Sequence, residues 1–224
     1  MKKLNILILG RSGKMGQVIE SELTTHTVTG PRKRSESIDF KSIDLCIDFS
    51  SPDFILSHID RLKTEHIPLI SGTTGLNEAQ FSRLKDAAKS IPVFYASNFS
   101  IGIHAVSKVV QLLAGQIGRF SDIDIIEKHH SQKKDKPSGT ALSIASAIQS
   151  ILPGKEINQH SIRAGKIIGE HTIQFSLTNE LIEIKHLAMN RSVFAAGAVA
   201  VIPFLLTKHS GFYTMSDFLN EGYQ

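Results

Sequence analysis

Leu4-Asn5-Ile6-Leu7-Ile8-Leu9-Gly10-Arg11-Ser12-Gly13-Lys14-Met15-Gly16 is an apolar run that ends in a glycine loop. Val18, Ile19 and Leu23 follow at helical spacing. A short apolar run closed by glycine reads as a parallel strand buried on both faces. The glycines fall as G-x-x-G-x-x-G, a variant of the commoner G-x-G-x-x-G. The physics is shared: glycine lets the backbone approach a pyrophosphate, and the helix N-terminus stabilises its charge. At the end of a first strand this loop predicts a dinucleotide site contacted by Gly10, Ser12, Gly13, Lys14, Met15 and Gly16. A plain strand–helix turn is the competing reading.

Outward from this stretch, strand and helix alternate. Thr27–Gly30 reads as a brief strand and Ile43–Phe49 as a longer one. Ser51-Pro52 then reads as a helix cap with proline in the first turn. Ile67–Ile70 is a strand, Asn77 to Lys89 a helix, and Pro92–Ala96 a strand. This alternation predicts an α/β fold, a doubly wound Rossmann-like sheet with helices on both faces. Two small polar segments close predicted strands, Gly72-Thr73-Thr74-Gly75 and Ala96-Ser97-Asn98-Phe99-Ser100. Open α/β sheets bind ligands at such ends, so Gly72, Thr73, Thr74, Ala96, Ser97, Asn98 and Phe99 join the expected cofactor contacts.

The pattern changes after Asn98. Ile101–Leu113 reads as a helix, Ile123–Lys128 as a strand and Thr140–Ile151 as a helix. Ile167–Leu177 and Leu181–Leu187 read as long strands joined by the tight turn Thr178-Asn179-Glu180. Phe194–Leu206 is helical again. We expect an inserted α+β domain with a mixed sheet at 101–190, and a dinucleotide-binding domain made of 1–100 with 191–224. A long uncovered hairpin also needs a partner, because exposed strands risk uncontrolled pairing.

Glu127–Leu142 is the stretch richest in chemistry. It packs two imidazoles, four lysines and a Ser-Gly-Thr turn into sixteen residues. Imidazole and ammonium groups suit proton transfer near neutral pH. Backbone N–H groups at a helix start bind anions. Together they point to proton transfer onto a small acidic substrate, against the alternative of a solvated basic loop. Arg191, just before the last helix, is a candidate carboxylate clamp. His129, His130, His171 and His186 lack the spacing of known zinc motifs, so no metal is expected.

A dinucleotide fold usually places an acid about 20 residues after the glycine loop to hold the adenosine ribose. Here the turn reads Gly30-Pro31-Arg32-Lys33-Arg34-Ser35. Arg32 and Arg34 therefore suggest a 2′-phosphate, and NADPH ahead of NADH. The competing reading is a solvated turn.

Composition sets the outer limits. The chain has 224 residues, 41% hydrophobic and 21% charged, with a formal net charge of +4. That is ordinary for a globular protein of one or two domains. The mild positive charge fits an anionic ligand. No aromatic-rich basic stripe supports a nucleic-acid partner. The single cysteine, Cys46, precludes an internal disulfide and fits a reducing compartment. No apolar run reaches membrane-span length, and the N-terminus lacks signal-peptide character, so a cytoplasmic location is expected.

These residues resemble the 4-hydroxy-tetrahydrodipicolinate reductase (dihydrodipicolinate reductase) family. The resemblance rests on Gly10–Gly16, Asp48-Phe49-Ser50, Gly72–Gly75, Ala96–Gly102, Glu127–Leu142, Arg163–Thr172 and Arg191–Gly197, in order along nearly the whole chain. Its most specific part is Glu127-x-His129-His130 with Lys133 and Pro137-Ser138-Gly139-Thr140-Ala141. The resemblance implies hydride transfer from NAD(P)H to the cyclic imine formed from 4-hydroxy-tetrahydrodipicolinate, in diaminopimelate and lysine biosynthesis. It implies His129 as acid/base and Lys133 as proton donor. It implies substrate contacts from His130, Ser138, Gly139, Thr140 and Arg191, and a homotetramer built on the second sheet. The chain is shorter than is usual for the family, with little room between Gly30 and Ile43 for a crossover helix. Two other readings compete: a Rossmann reductase of another acidic substrate, and a nucleotide sensor without chemistry.

Overall fold

The computed structural model describes residues 2–33 and 35–221. Arg34 lies outside the described residues. The chain divides into two compact units, Met1–Phe99 with Phe194–Gln224, and Ser100–Val193.

The first unit holds a six-stranded, all-parallel sheet. In chain order its strands are β1 (Asn5–Leu9), β2 (Thr27–Thr29), β3 (Leu45–Asp48), β4 (Leu69–Ser71), β5 (Pro92–Tyr95) and a final strand, Gly211–Tyr213. Spatially the order is β2-β1-β3-β4-β5 and then the final strand. Strands β2 and β3 lie on opposite sides of β1. The winding therefore reverses at the carboxyl ends of β1 and β3, where α/β sheets open a ligand crevice. Leu7 and Leu9 pack with Cys46, Ile55, Ile59, Leu69 and Val93 on one face. Ile6, Ile8 and Ile47, on the opposite face, are fully buried as well. Both faces are thus covered, which is why these strands read as continuous apolar runs.

Helices α1 (Lys14–Glu22), α2 (Pro52–Thr64) and α3 (Glu78–Ala87) connect these strands. Asn77 caps α3 through a capping box with Gln80. No helix lies between β2 and β3 among the described residues, in keeping with the short sequence there.

The second unit begins with α4 (Ile101–Ile117), followed by β6 (Asp122–His129), α5 (Gly139–Gln149), β7 (Asn158–Arg163), β8 (Gly169–Ser176) and β9 (Leu181–Ala188). Its sheet runs β7-β6-β8-β9 and is mixed: β6 pairs parallel with β7 and antiparallel with β8. One face packs on α4 and α5 through Ile123, Ile125, Ile173, Phe175, Val110, Ala114, Ile144 and Ile148. Strand β7 escapes sequence reading because Asn158-Gln159-His160-Ser161-Ile162-Arg163 carries one apolar residue. It is a strand because β6 supplies its partners.

Helix α6 (Ser192–Leu206) leads into the final strand, β10 (Gly211–Tyr213), and α7 (Met215–Asn220). Sequence reading also misses β10 and α7. The first is three residues long. The second carries a legible signal, the Thr214–Asp217 capping box.

Candidate active site

Glu127 and His129 are two residues apart on β6, so they share a face with Ile123 and Ile125 and point into the unit. Glu127 is fully buried. Its carboxylate takes a fork from Arg163, Nη1 to Oε2 at 2.8 Å and Nη2 to Oε1 at 2.6 Å. His129 Nδ1 bonds the same Oε2. Burial works against the Glu127 charge, yet hydrogen bonds from Arg163, Ser161 and His129 hold its pKa down to about 2. An ionised carboxylate only accepts, so Nδ1 of His129 carries the proton and Nε2 is left bare. Burial lowers the His129 pKa, Glu127 opposes this, and Lys133 and Arg163 add to it. At neutral pH His129 is a neutral, oriented base.

His171, opposite Glu127 on β8, stands beside it. Its ring centroid lies 5.2 Å from that of His129, edge to face. Its Nε2 meets Ser138 Oγ at 3.2 Å. Burial first, then the neighbouring His129, drives the His171 pKa down to about 4. His171 is therefore neutral. Ser138 caps α5, accepting from Ala141 N at 3.1 Å. A Cβ on Gly139 would meet nothing within 4 Å. The first turn of α5 thus has open space beside Gly139, where an anion could approach a helix start. Lys133 is held by Asp135, Nζ to Oδ1 at 2.9 Å.

The structure brings His129, His171 and Ser138 into one connected cluster. Gly139 and Thr140 open the helix that Ser138 caps. His130 follows the end of β6 with its Nδ1 buried and without a partner among the described residues. Arg191 lies in the turn before α6, where Asn190 Oδ1 caps Ser192 N at 2.9 Å. Among the described residues no hydrogen bond or ion pair ties Arg191 to the histidine cluster. Sequence reading assigned no role to Glu127, Arg163 or His171. The two-residue period of β6 signals Glu127; nothing local signals Arg163, 36 residues away.

In the first unit the glycine loop closes on itself. Gly10 has φ of 82° and its carbonyl accepts from Gly13 N at 2.9 Å. A Cβ on Gly16 would overlap that carbonyl, so helix and loop touch through backbone alone. A cleft of about 240 Å³ lies alongside, lined by Gly10, Ser12, Gly13, Arg32, Phe49 and Ser50, among others. This cradle fits a nucleotide diphosphate. Asp48, buried at the end of β3, gathers the neighbouring loops. It accepts from Ser50 N at 3.1 Å and from Ser71 Oγ at 2.8 Å. Burial raises its pKa against the pull of Ser50, Thr73 and Ser71. Thr73 Oγ1 accepts from Ser50 N at 3.0 Å. Phe99 is buried against Phe49 and Phe94, so its ring belongs to the core.

The basic turn after β2 is not free of acid. Glu20 on α1 bonds Arg11 Nε at 3.1 Å and Arg32 Nη2 at 3.2 Å. Glu36 Oε2 accepts from Arg32 N at 2.8 Å. In the sequence the stretch Gly30–Ser35 shows cations alone, because Glu36 is the next residue and Glu20 lies on the preceding helix.

A doubly wound sheet with a glycine loop at its switch point, in a chain whose other unit holds an oriented base and an anion cradle, defines an oxidoreductase of the Rossmann type. Comparison with known proteins narrows this. The family models for the N-terminus and C-terminus of dihydrodipicolinate reductase match residues 22–99 and 102–219. The 4-hydroxy-tetrahydrodipicolinate reductase of Caldanaerobacter subterraneus is 36% identical over 98% of this chain and 99% of its own length. That of Thermosipho africanus is 38% identical over 96% of this chain and 98% of its own. The second alignment spans 218 residues, so that relative is about as long as this chain. The dipicolinate-bound dihydrodipicolinate reductase from Paenisporosarcina sp. TG-14 shares the fold, with a TM-score of 0.77 at 22% identity over 97% of this chain and all of that one. The chain belongs to the dihydrodipicolinate reductase family and is a reductase.

Proposed function

We propose that the chain reduces the cyclic imine formed from 4-hydroxy-tetrahydrodipicolinate to tetrahydrodipicolinate in lysine biosynthesis, as its named relatives do. The observation that carries this reading is the junction of oriented base and anion cradle: His129 held by Glu127, next to His171 bonded to the Ser138 cap. The bound nicotinamide cofactor supplies a hydride to the unsaturated carbon. The residues of this chain do the rest. The amides of Gly139 and Thr140, behind the Ser138 cap, hold one substrate carboxylate, with Arg191 a candidate for the other and His130 a further substrate contact. Lys133 delivers the proton that hydride addition requires. Neutral His129 presents Nε2 as acid/base partner. An assay on freshly generated substrate tests the reading; cofactor oxidation that does not depend on substrate would refute it.

The glycine loop, Gly72–Thr74 and Ala96–Phe99 form the cofactor surface in this reading. NADPH is preferred over NADH, because a 2′-phosphate gives Arg32 and Arg34 a charged partner. The preference is modest. Arg32 is half exposed and already paired with Glu20, so the phosphate replaces a partner rather than meeting a free cation. We expect a kcat/KM ratio of NADPH to NADH of no more than about fivefold, shrinking with salt. Arg32→Ala/Arg34→Ala should bring it toward unity. An unchanged ratio in that variant would exclude the turn from cofactor choice.

The second sheet also supports self-assembly. Its face away from α4 and α5 carries exposed Ile162, Leu181 and Leu187 beside a Lys128–Glu170–Lys185 ion cluster. We expect a homotetramer built on this face. Sedimentation at micromolar concentration checks it, and a stable monomer would contradict it.

A further inference from the structure

We propose that Arg163 is a positioning residue that fixes the acid/base histidine and the proton-donating lysine in one frame, with Glu127 as its link to the histidine. The proposal rests on the roles given to His129 and Lys133 above.

The guanidinium is almost fully buried, with its side chain 6% exposed. Apart from a bond from Nη1 to the carbonyl of its neighbour Ile162 at 2.9 Å, it spends its donors in two directions. One is the fork onto Glu127, whose Oε2 also receives His129 Nδ1. The other is Nη2 to the carbonyl of Asp135 at 2.5 Å. The side chain of that same residue holds Lys133 Nζ. From Arg163 each proposed proton-handling group is therefore reached through a single intervening residue. Register explains the placement, since Arg163 sits opposite His129 in the β6–β7 ladder. The backbone reinforces it: Ala164 N donates to His129 O at 2.8 Å and Ser131 N to Gly165 O at 3.2 Å.

Lysine would not substitute. A point charge on a flexible stem cannot bridge two carboxylate oxygens and a carbonyl in one plane. The charged and titratable groups acting on His129 are Glu127 on its own strand, Lys133 in the following loop, Arg163 on β7 and His171 on β8. Of these, Glu127 raises its proton affinity and Arg163 lowers it. Removing Glu127's charge must therefore lower its titration, whereas removing Arg163 takes away both a neighbouring cation and the main support of the Glu127 charge, so turnover is the readout for that residue.

The test uses Glu127→Gln, Arg163→Met and Arg163→Lys in the full chain. Imidazole ¹⁵N NMR reads the His129 tautomer and titration; steady-state kinetics read turnover. In Glu127→Gln the amide oxygen can still accept from Nδ1, but the negative charge that supports the imidazolium is gone. His129 then titrates lower, and kcat falls by about 10²-fold with KM within a few-fold. In Arg163→Met, kcat falls by about tenfold or more with KM within a few-fold, since a small misplacement of a catalytic group is costly. Arg163→Lys does not restore it. If Arg163→Met fails to fold, the near-isosteric Glu127→Gln and the charge-conserving Arg163→Lys still decide. An unchanged His129 titration in Glu127→Gln, or wild-type turnover in Arg163→Met or Arg163→Lys, overturns the proposal. Full turnover in His129→Gln would instead overturn the role of His129, whatever the titration shows.

Discussion

His129→Gln lowers kcat by about 10²-fold or more, the scale of a lost general acid or base, and Lys133→Ala does the same. Glutamine keeps polar volume at 129 but offers no basic nitrogen. The histidine is neutral because burial outweighs Glu127, and its proton sits on Nδ1 because the carboxylate can only accept. Nε2 is therefore the nitrogen that substitution removes. Lys133 is different in kind. It reaches the site on a loop and is held by a half-exposed carboxylate, Asp135, so its loss costs little stability. The two variants should bind cofactor like the parent, since the glycine loop belongs to the other unit. Fluorescence titration of bound dinucleotide and stopped-flow turnover separate the two effects. Parent-like turnover in either variant removes that residue from the mechanism.

Gly197→Val is expected to destabilise the protein by about 3 kcal/mol or more, at the upper end of overpacking. A Cβ on Gly197 would overlap the carbonyl oxygen of Phe99 and lie 2.9 Å from its carbonyl carbon. Both sides are backbone, so no rotamer change relieves the clash. Helix α6 must lift, and with it Ala195, Ala198, Val201 and Leu205, all fully buried. Gly115→Ala is the contrasting case. Gly115 lies within α4, and an added Cβ would sit 3.6 Å from Ile151 Cγ2, in ordinary contact. That variant should gain about 0.5–1 kcal/mol from helix propensity. Urea midpoints of the two variants, compared with the parent, check both signs. Equal midpoints for Gly197→Val and the parent would mean that α6 does not pack against Phe99.

Much of the candidate site is legible in the sequence because its members are neighbours there. His129, His130, Lys133, Ser138, Gly139 and Thr140 span twelve residues at the end of one strand and the start of one helix. The glycine loop is legible for the same reason. Arg191 is legible as a cation before a helix, but its partners are not, since nothing nearby in the chain specifies them. The cationic turn at Arg32 is legible too, but its Glu20 partner, which approaches from α1, is not.

By itself the sequence determined the alternation of apolar runs and amphipathic helices, the glycine turn at the first strand, the change of pattern after Asn98 and the compact proton-and-anion motif. Each is set by local periodicity or by backbone chemistry within a few residues. Tertiary structure alone decided the rest. Strand β7 forms because β6 offers it a ladder, although its own side chains are nearly all polar. Glu127 is held ionised against its burial chiefly by Arg163, which arrives from 36 residues away, with Ser161 and His129. His171 stays neutral well into the acid range because the fold buries it beside His129. Charge state in a protein interior depends on which groups the chain brings together, and that is a non-local property.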